Sequence, residues 1–395
     1  MTTEHTLYTM SASLYSAKAR AYLRTHRIPH QEVPPGDPRY IDEVIPQIGR
    51  WIIPVLQTPD GSLIQDTVDI IDHLDRQVSP ALSAYPATPV HRVLAHLLEL
   101  FGGEGLLRPA MHYRWNFDEA NAEFLSHDFS AALVLDPDPQ AKRAAFELAS
   151  SRMRKVTIRF GVTPGTVPDV ERSYLRFLEL FDAHLAESPY LLGGRPTIAD
   201  FAFAGPLYAH LSRDPYPSTI MKLHARRVYR WTERMNAPGL DSGEYGDRGP
   251  ELFPDDDVPE TLYRLLAYIG EELTPDVLAQ VAGAERWLQE NPQTAEGDLI
   301  GGRPDRRAIG TTQLQWRGHT VEIGVLPYRI YMLQRLQHAF SNTTPAAQAT
   351  LTDLFAKANL EPLLHARPRR RVERRENLEV WGQAQQPNLP TLRTN

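Results

Sequence analysis

The 395-residue chain contains no cysteine. That absence removes disulfides, thiolate metal sites, Cys-x-x-Cys redox chemistry and any cysteine nucleophile. If thiol chemistry occurs, the thiol arrives on a small molecule. Long apolar runs are also missing, since nothing approaches the roughly 18 residues that span a bilayer. The start, Met-Thr-Thr-Glu-His-Thr-Leu-Tyr, has neither the basic opening nor the apolar stretch of a secretory signal. A cytoplasmic protein with no membrane partner is the expectation. Nor is there an excess of basic charge. The formal net charge is −7, which argues against a nucleic-acid partner, because phosphate binding calls for a basic surface. The one basic cluster, Arg367 to Arg375, is interrupted by Pro368, Val372 and Glu373 and reads as a solvated helix or tail. The 14 histidines show no ligand spacing, and His91 and His96 fall off one helical face, so no metal is expected. P-loop, Gly-x-Ser-x-Gly and His-Glu-x-x-His patterns are lacking. Gly102-Gly103-Glu104-Gly105 has no strand before it and is no dinucleotide fingerprint.

What is present is an ordinary globular composition, 42% hydrophobic and 23% charged, in a chain long enough for two or three domains. Residues 6–10 read as a strand, 14–26 as a helix and 31–33 as a second strand. Ile52 to Gln57 and Ser62 to Ile64, joined by Pro59-Asp60-Gly61, read as a hairpin. A helix over 67–77 follows, with Val68, Ile71 and Leu74 on one face. Pro80 to Pro89 has three prolines and no periodicity, as a linker would. From Val90 to Pro238 the pattern is helical, most clearly over 91–101, 141–158 and 170–186. Residues 239–260 form a second, acidic linker. Beyond it, Thr311 to Val325 alternates around Trp316-Arg317-Gly318-His319 as a hairpin would, while 327–340 and 345–364 look helical.

Four features stand in a fixed order. Leu7 to Arg20 is a strand, a turn rich in small residues and a helix. Ile52-Ile53-Pro54-Val55 places proline at the opening of an apolar strand. Gln65-Asp66-Thr67 lies directly before a helix. Gly194-Arg195-Pro196-Thr197-Ile198-Ala199-Asp200-Phe201 has the spacing of a helix capping box. Together these resemble the glutathione S-transferase superfamily over about residues 5–237. The resemblance implies an α/β plus all-α fold: a thioredoxin-like domain over 1–80, an all-helical domain over 89–238, and an additional mostly helical extension over 261–395.

It also implies site roles. In such families a hydroxyl or thiol at the first turn donates to the glutathione sulfur, and a donor at a helix N-terminus favours thiolate over thiol. Counting back from Lys18 and Arg20, Ser13 fits that position best. Ser11 and Ser16 compete, and each serine can equally be an ordinary helix cap. A cis Pro54 would turn the Ile53 backbone toward the glutathione cysteine. Asp66 would pair the γ-glutamyl ammonium and Thr67 hold its carboxylate at the helix start, unless both are simple N-caps. Asp66 and Thr67 stand where Glu-Ser or Gln-Ser is common. Arg50 and Trp51 fall where many members of the family touch the glycyl carboxylate, although an ordinary exposed loop explains them equally well. The electrophile would sit opposite Ser13, against Met111, His112, Tyr113 and Trp115, a stripe that is equally a core stripe. The implied activity is attack of a glutathione thiolate, glutathione serving as co-substrate, on a small electrophile by conjugation, ether cleavage or isomerisation. The alternative is a non-catalytic binding or scaffold protein of the same fold. A homodimer resembles the family habit, although so long an extension could replace the interface.

Overall fold

The computed structural model describes residues 4–79, 82–136, 138–239, 243–246 and 249–390. The first linker's Pro80 and Ala81, and 240–242 and 247–248 of the second, lie outside them.

The N-terminal unit consists of β1 (His5–Tyr8), α1 (Leu14–Thr25), β2 (His30–Val33), a short α2 (Ile45–Ile48), β3 (Val55–Gln57), β4 (Leu63–Gln65) and α3 (Thr67–Asp75). Its four strands lie in the order β2-β1-β3-β4. β1 runs parallel to β2 and antiparallel to β3, with Tyr8 opposite Val33 and Val55. This is the thioredoxin-like arrangement. Ser13 begins α1 by accepting a hydrogen bond from the Ser16 N–H at 3.2 Å, which satisfies one of the free donors at a helix start. Alanines at 17, 19 and 21 let α1 approach the helical unit closely. A Cβ on Gly205 would come within 2.9 Å of the Leu14 carbonyl oxygen.

The helical unit comprises α4 (Pro89–Leu100), α5 (Leu107–Trp115), α6 (Asp118–Leu133), α7 (Pro139–Ile158), α8 (Val167–His184), α9 (Ile198–Pro206), α10 (Pro215–His224) and α11 (Arg226–Asn236). Thr197 and Asp200 form the capping box of α9, the Thr197 N–H donating to Asp200 Oδ2 at 2.9 Å. The acidic linker caps a helix. Both oxygens of Asp256 accept N–H donors at the start of α4, from Val90 and His91 at 3.0 Å each.

The extension is mostly helical, with α12 (Glu260–Glu290), α13 (Pro327–Ser341) and α14 (Pro345–Lys357), and adds two hairpins, β5 (Thr311–Trp316) with β6 (His319–Gly324) and β7 (Arg370–Arg375) with β8 (Leu378–Ala384). Both hairpins turn through two residues at positive φ, Arg317-Gly318 and Glu376-Asn377, the backbone twist that tight hairpins require. The Arg367–Arg375 cluster is therefore not a helix or a tail. It is largely a strand, and its Arg374 side chain is only 3% exposed because carboxylates on two other elements receive it. α12 spans 31 residues and went unread in the sequence. One continuous core reaches from Leu7 in β1 through Phe177 and Leu266 to Trp381 in β8, so the extension shares its interior with the other two units.

Candidate functional site

Where the three units meet there is a cavity of about 820 Å³, within the range of small-molecule sites. Its floor is the first turn (Met10, Ala12, Ser13) with Trp51 and Ile53 beside it. Met111 and Trp115 of α5, Phe129 of α6 and Phe160 form an apolar wall. α7 supplies the opposite wall through Ala145, Leu148, Ala149, Arg152, Met153 and Val156, a spacing of three and four that is one helical face. The extension closes the far side with Arg307, Leu326 and Tyr328.

The sequence-based candidates divide sharply. Ser13 lines the cavity and is partly exposed, with its oxygen also capping α1. Ser11 is exposed to solvent outside the cavity, and Ser16 is buried within α1. Tyr15 also lines the cavity, but its hydroxyl donates to Glu104 Oε1 at 3.1 Å. Burial, reinforced by Glu104, pushes its ionisation far above the ordinary tyrosine range, so it stays protonated. The Ile53–Pro54 bond is cis. Ile53 faces the cavity, and among the described residues its backbone N–H and C=O have no hydrogen-bond partner. Trp51 is 52% exposed at the rim and stands edge-on to Tyr40.

On α5, Met111 and Trp115 share the cavity face, being four residues apart. His112 and Tyr113 point elsewhere. His112 sits at 3.0 Å from Glu171, and burial holds its ionisation below the ordinary histidine value. Tyr113 stacks on Phe117 in the core. Arg114 between them is structural: it pairs with buried Asp214 and donates to the carbonyl oxygens of Ala12 and Ala209 at 2.7 Å each.

Arg50, Asp66 and Thr67 do not line the cavity. The turn of the β7–β8 hairpin covers the outer edge of β4, where the Gln65 N–H donates to Asn377 Oδ1 at 2.8 Å. Arg50 is 4% exposed. It donates to Glu379 at 2.5 and 3.1 Å, to Gln65 Oε1 at 2.7 Å and to the Asn377 carbonyl at 2.9 Å. Asp66 caps α3 at φ 92°. Its Oδ1 accepts from the Val68 N–H at 2.9 Å and from the Tyr328 hydroxyl at 2.8 Å. Arg374 completes the cover, reaching Asp69, the Gln65 carbonyl and Glu379 at 2.7, 2.8 and 2.5 Å. Asp69 has a carboxyl raised to about 6, by burial and by neighbouring Asp66, against the opposing pull of Arg374. The extension thus covers Arg50 and Asp66, the side chains that the resemblance assigns to a glycyl carboxylate and a γ-glutamyl ammonium, and both are already paired within the protein.

Sequence reasoning missed the α7 face and every contribution of the extension. The α7 stripe was open to detection as a period of three and four; Arg307 and Tyr328 carried no local signal.

The sequence matches two family models, the glutathione S-transferase N-terminal domain over residues 7–81 and the C-terminal domain over residues 164–234. Over these two segments the chain carries the domains of the glutathione S-transferase superfamily. Solved structures similar to this superfamily member include a glutathione S-transferase from Rhodospirillum rubrum F11, 16% identical, covering 66% of this chain and 99% of that one at a TM-score of 0.33. Another, from Methylobacillus flagellatus KT with glutathione bound, is 17% identical over 58% of this chain and 93% of its own at 0.34. The β-etherase LigF from Sphingobium sp. strain SYK-6 is 16% identical over 60% and 96% at 0.41. No curated protein matches the sequence. No described helix of this superfamily member is long and apolar enough to cross a membrane.

Proposed function

We propose that this superfamily member binds a largely apolar small molecule in the interdomain cavity, and that it is the non-catalytic binding form of the fold with respect to glutathione. The observation that carries this reading is the sealing of Arg50 and Asp66 by Glu379, Asn377 and Tyr328. For glutathione to take its extended pose, the hairpin would have to leave the β4 edge. That would break the buried Arg50–Glu379 pair and the Arg374–Asp69 pair, and separating a buried ion pair costs roughly 3–5 kcal/mol.

A second reading is favoured by one feature, the Ser13 hydroxyl lying in the cavity beside the unpaired Ile53 backbone. There the chain would activate a glutathione thiol after all. Calorimetry with reduced glutathione on the full-length chain separates the two. The first reading expects no heat at millimolar ligand. Saturable binding, with a thiolate absorbance that disappears in Ser13→Ala, would replace it with the transferase.

A further inference from the structure

The cavity's charge does not balance. Arg307, Arg152 and Arg159 all line it, and among the described residues none of their side chains has an ion pair or hydrogen bond. Arg152 and Arg159 are exposed at the rim, where water solvates them. Arg307 is different: its Nε is buried with no partner, and its guanidinium lies 5.4 Å from the ring centre of Tyr328. The nearby acids are already engaged. Glu104 accepts from Tyr15 and Arg329 at 3.1 Å each, Glu379 is held by Arg50 and Arg374, and Asp66 serves Val68 and Tyr328. They attract Arg307 from beyond contact distance. The remaining carboxylate of the lining, Asp305, is exposed and 3.4 Å from Arg303.

The acids nearby keep this guanidinium charged, but none is in contact with it, so its N–H donors stay free on an otherwise apolar wall, and a buried donor left unpaired is costly. Arginine's planar fork matches a carboxylate through two parallel hydrogen bonds. We propose that Arg307 is the anion-recognition residue of the cavity and that the ligand class is an amphipathic organic acid. Its carboxylate meets Arg307, and its apolar body lies along the α7 face at Leu148, Met153 and Val156. The hydroxyl oxygens of Tyr15 and Tyr328 flank this end but have their protons directed to Glu104 and Asp66. The Trp115 indole N–H on the α5 wall is also buried without a partner, but it is neutral. Arg307 therefore supplies the cationic donors that remain uncommitted inside the lining. This assignment rests on the cavity being a small-molecule site, and comes from a residue outside both matched domain models.

The test uses the full-length protein and displacement of a neutral fluorescent probe, N-phenyl-1-naphthylamine, by octanoate, 1-octanol and octylammonium below their micellar concentrations. Octanoate is expected to displace the probe at a concentration about tenfold or more below octanol, as a charge-assisted pair implies, with octylammonium the weakest. Arg307→Met should bring octanoate to the level of octanol and leave octanol unchanged, while Arg307→Lys keeps the acid preference. Melting curves accompany each variant, and Arg307→Gln gives the same reading if the Met variant fails to fold. Equal affinities for acid and alcohol in the wild type, or an acid preference surviving Arg307→Met, overturn the assignment of Arg307 while the cavity remains a binding site. Failure of the neutral probe and octanol to bind at all overturns the cavity reading and this inference together.

Discussion

Replacing Glu379 by glutamine asks whether one carboxylate clamps the extension onto the thioredoxin-like unit. Glu379 is 9% exposed and receives two guanidinium groups, Arg50 and Arg374, whose side chains are 2% and 3% exposed. Burial alone would raise its carboxyl. Arg307, the Arg50 hydrogen bond and Arg374 outweigh that and hold it at about 2, against an ordinary 4.5. At ~1.4 kcal/mol per pH unit, this difference corresponds to about 3 kcal/mol. Removing one partner from a buried ion pair costs roughly 3–5 kcal/mol by comparison, so the two routes agree. The sign follows from proton uptake. The unfolded chain protonates Glu379 at higher pH than the folded one does, so this stabilisation is complete above about pH 4.5 and is lost as pH falls toward 2. Glu379→Gln should therefore lower stability in urea by about 3 kcal/mol at pH 7, and by much less at pH 3. Hydrogen exchange should speed first over residues 370–384. A loss under about 1 kcal/mol at pH 7, the range of a surface pair, or a loss undiminished at pH 3, refutes the clamp.

Three further outcomes follow from close contacts elsewhere. Gly270→Ala gains about 1 kcal/mol of helix propensity in α12, yet its Cβ would meet the Ala358 carbonyl oxygen at 1.8 Å; a lower melting temperature is expected, and a higher one refutes the packing. Arg114→Met strands the carboxylate of fully buried Asp214 and should cost roughly 3–5 kcal/mol in chemical denaturation, whereas a near-neutral change would show that Asp214 finds another partner. The extension covers part of the first two units, α13 packing on α4 and its Arg335 pairing with Asp72 of α3 at 2.7 Å, which leaves those faces closed to a second copy. Light scattering after gel filtration should accordingly give a monomer, and a stable dimer would mean that a different face associates.

Some of this protein was legible because its signals are local. The strand–turn–helix around Ser13, the Thr197–Asp200 box and the Arg317-Gly318 turn each depend on residues within a few positions of one another, where capping and turn chemistry act. The α5 stripe was half legible: its apolar character was visible, but the 3.6-residue period sends Met111 and Trp115 into the cavity and His112 and Tyr113 away from it. The basic run at 367–375 misled because charged residues ordinarily seek water. Here Arg374 is buried, with Asp69 and Glu379 folded onto it. α12 hid for a related reason. It is buried on most of its surface and carries Gly270, Pro275 and Gly283, which blur the apolar periodicity that marks a one-sided helix.

The sequence alone determined the order of strands and helices in the first unit, the helical character of the second, the absence of any protein thiol, and the placing of a serine hydroxyl at the first turn. Each of these is written in neighbouring residues. Tertiary structure alone decided which candidate side chains are already engaged. Arg50 meets Glu379 across 329 positions and Asp66 meets Tyr328 across 262. Whether a charged side chain awaits a ligand or is already satisfied depends on which distant segment the fold brings within about 3 Å, and local sequence does not encode that distance.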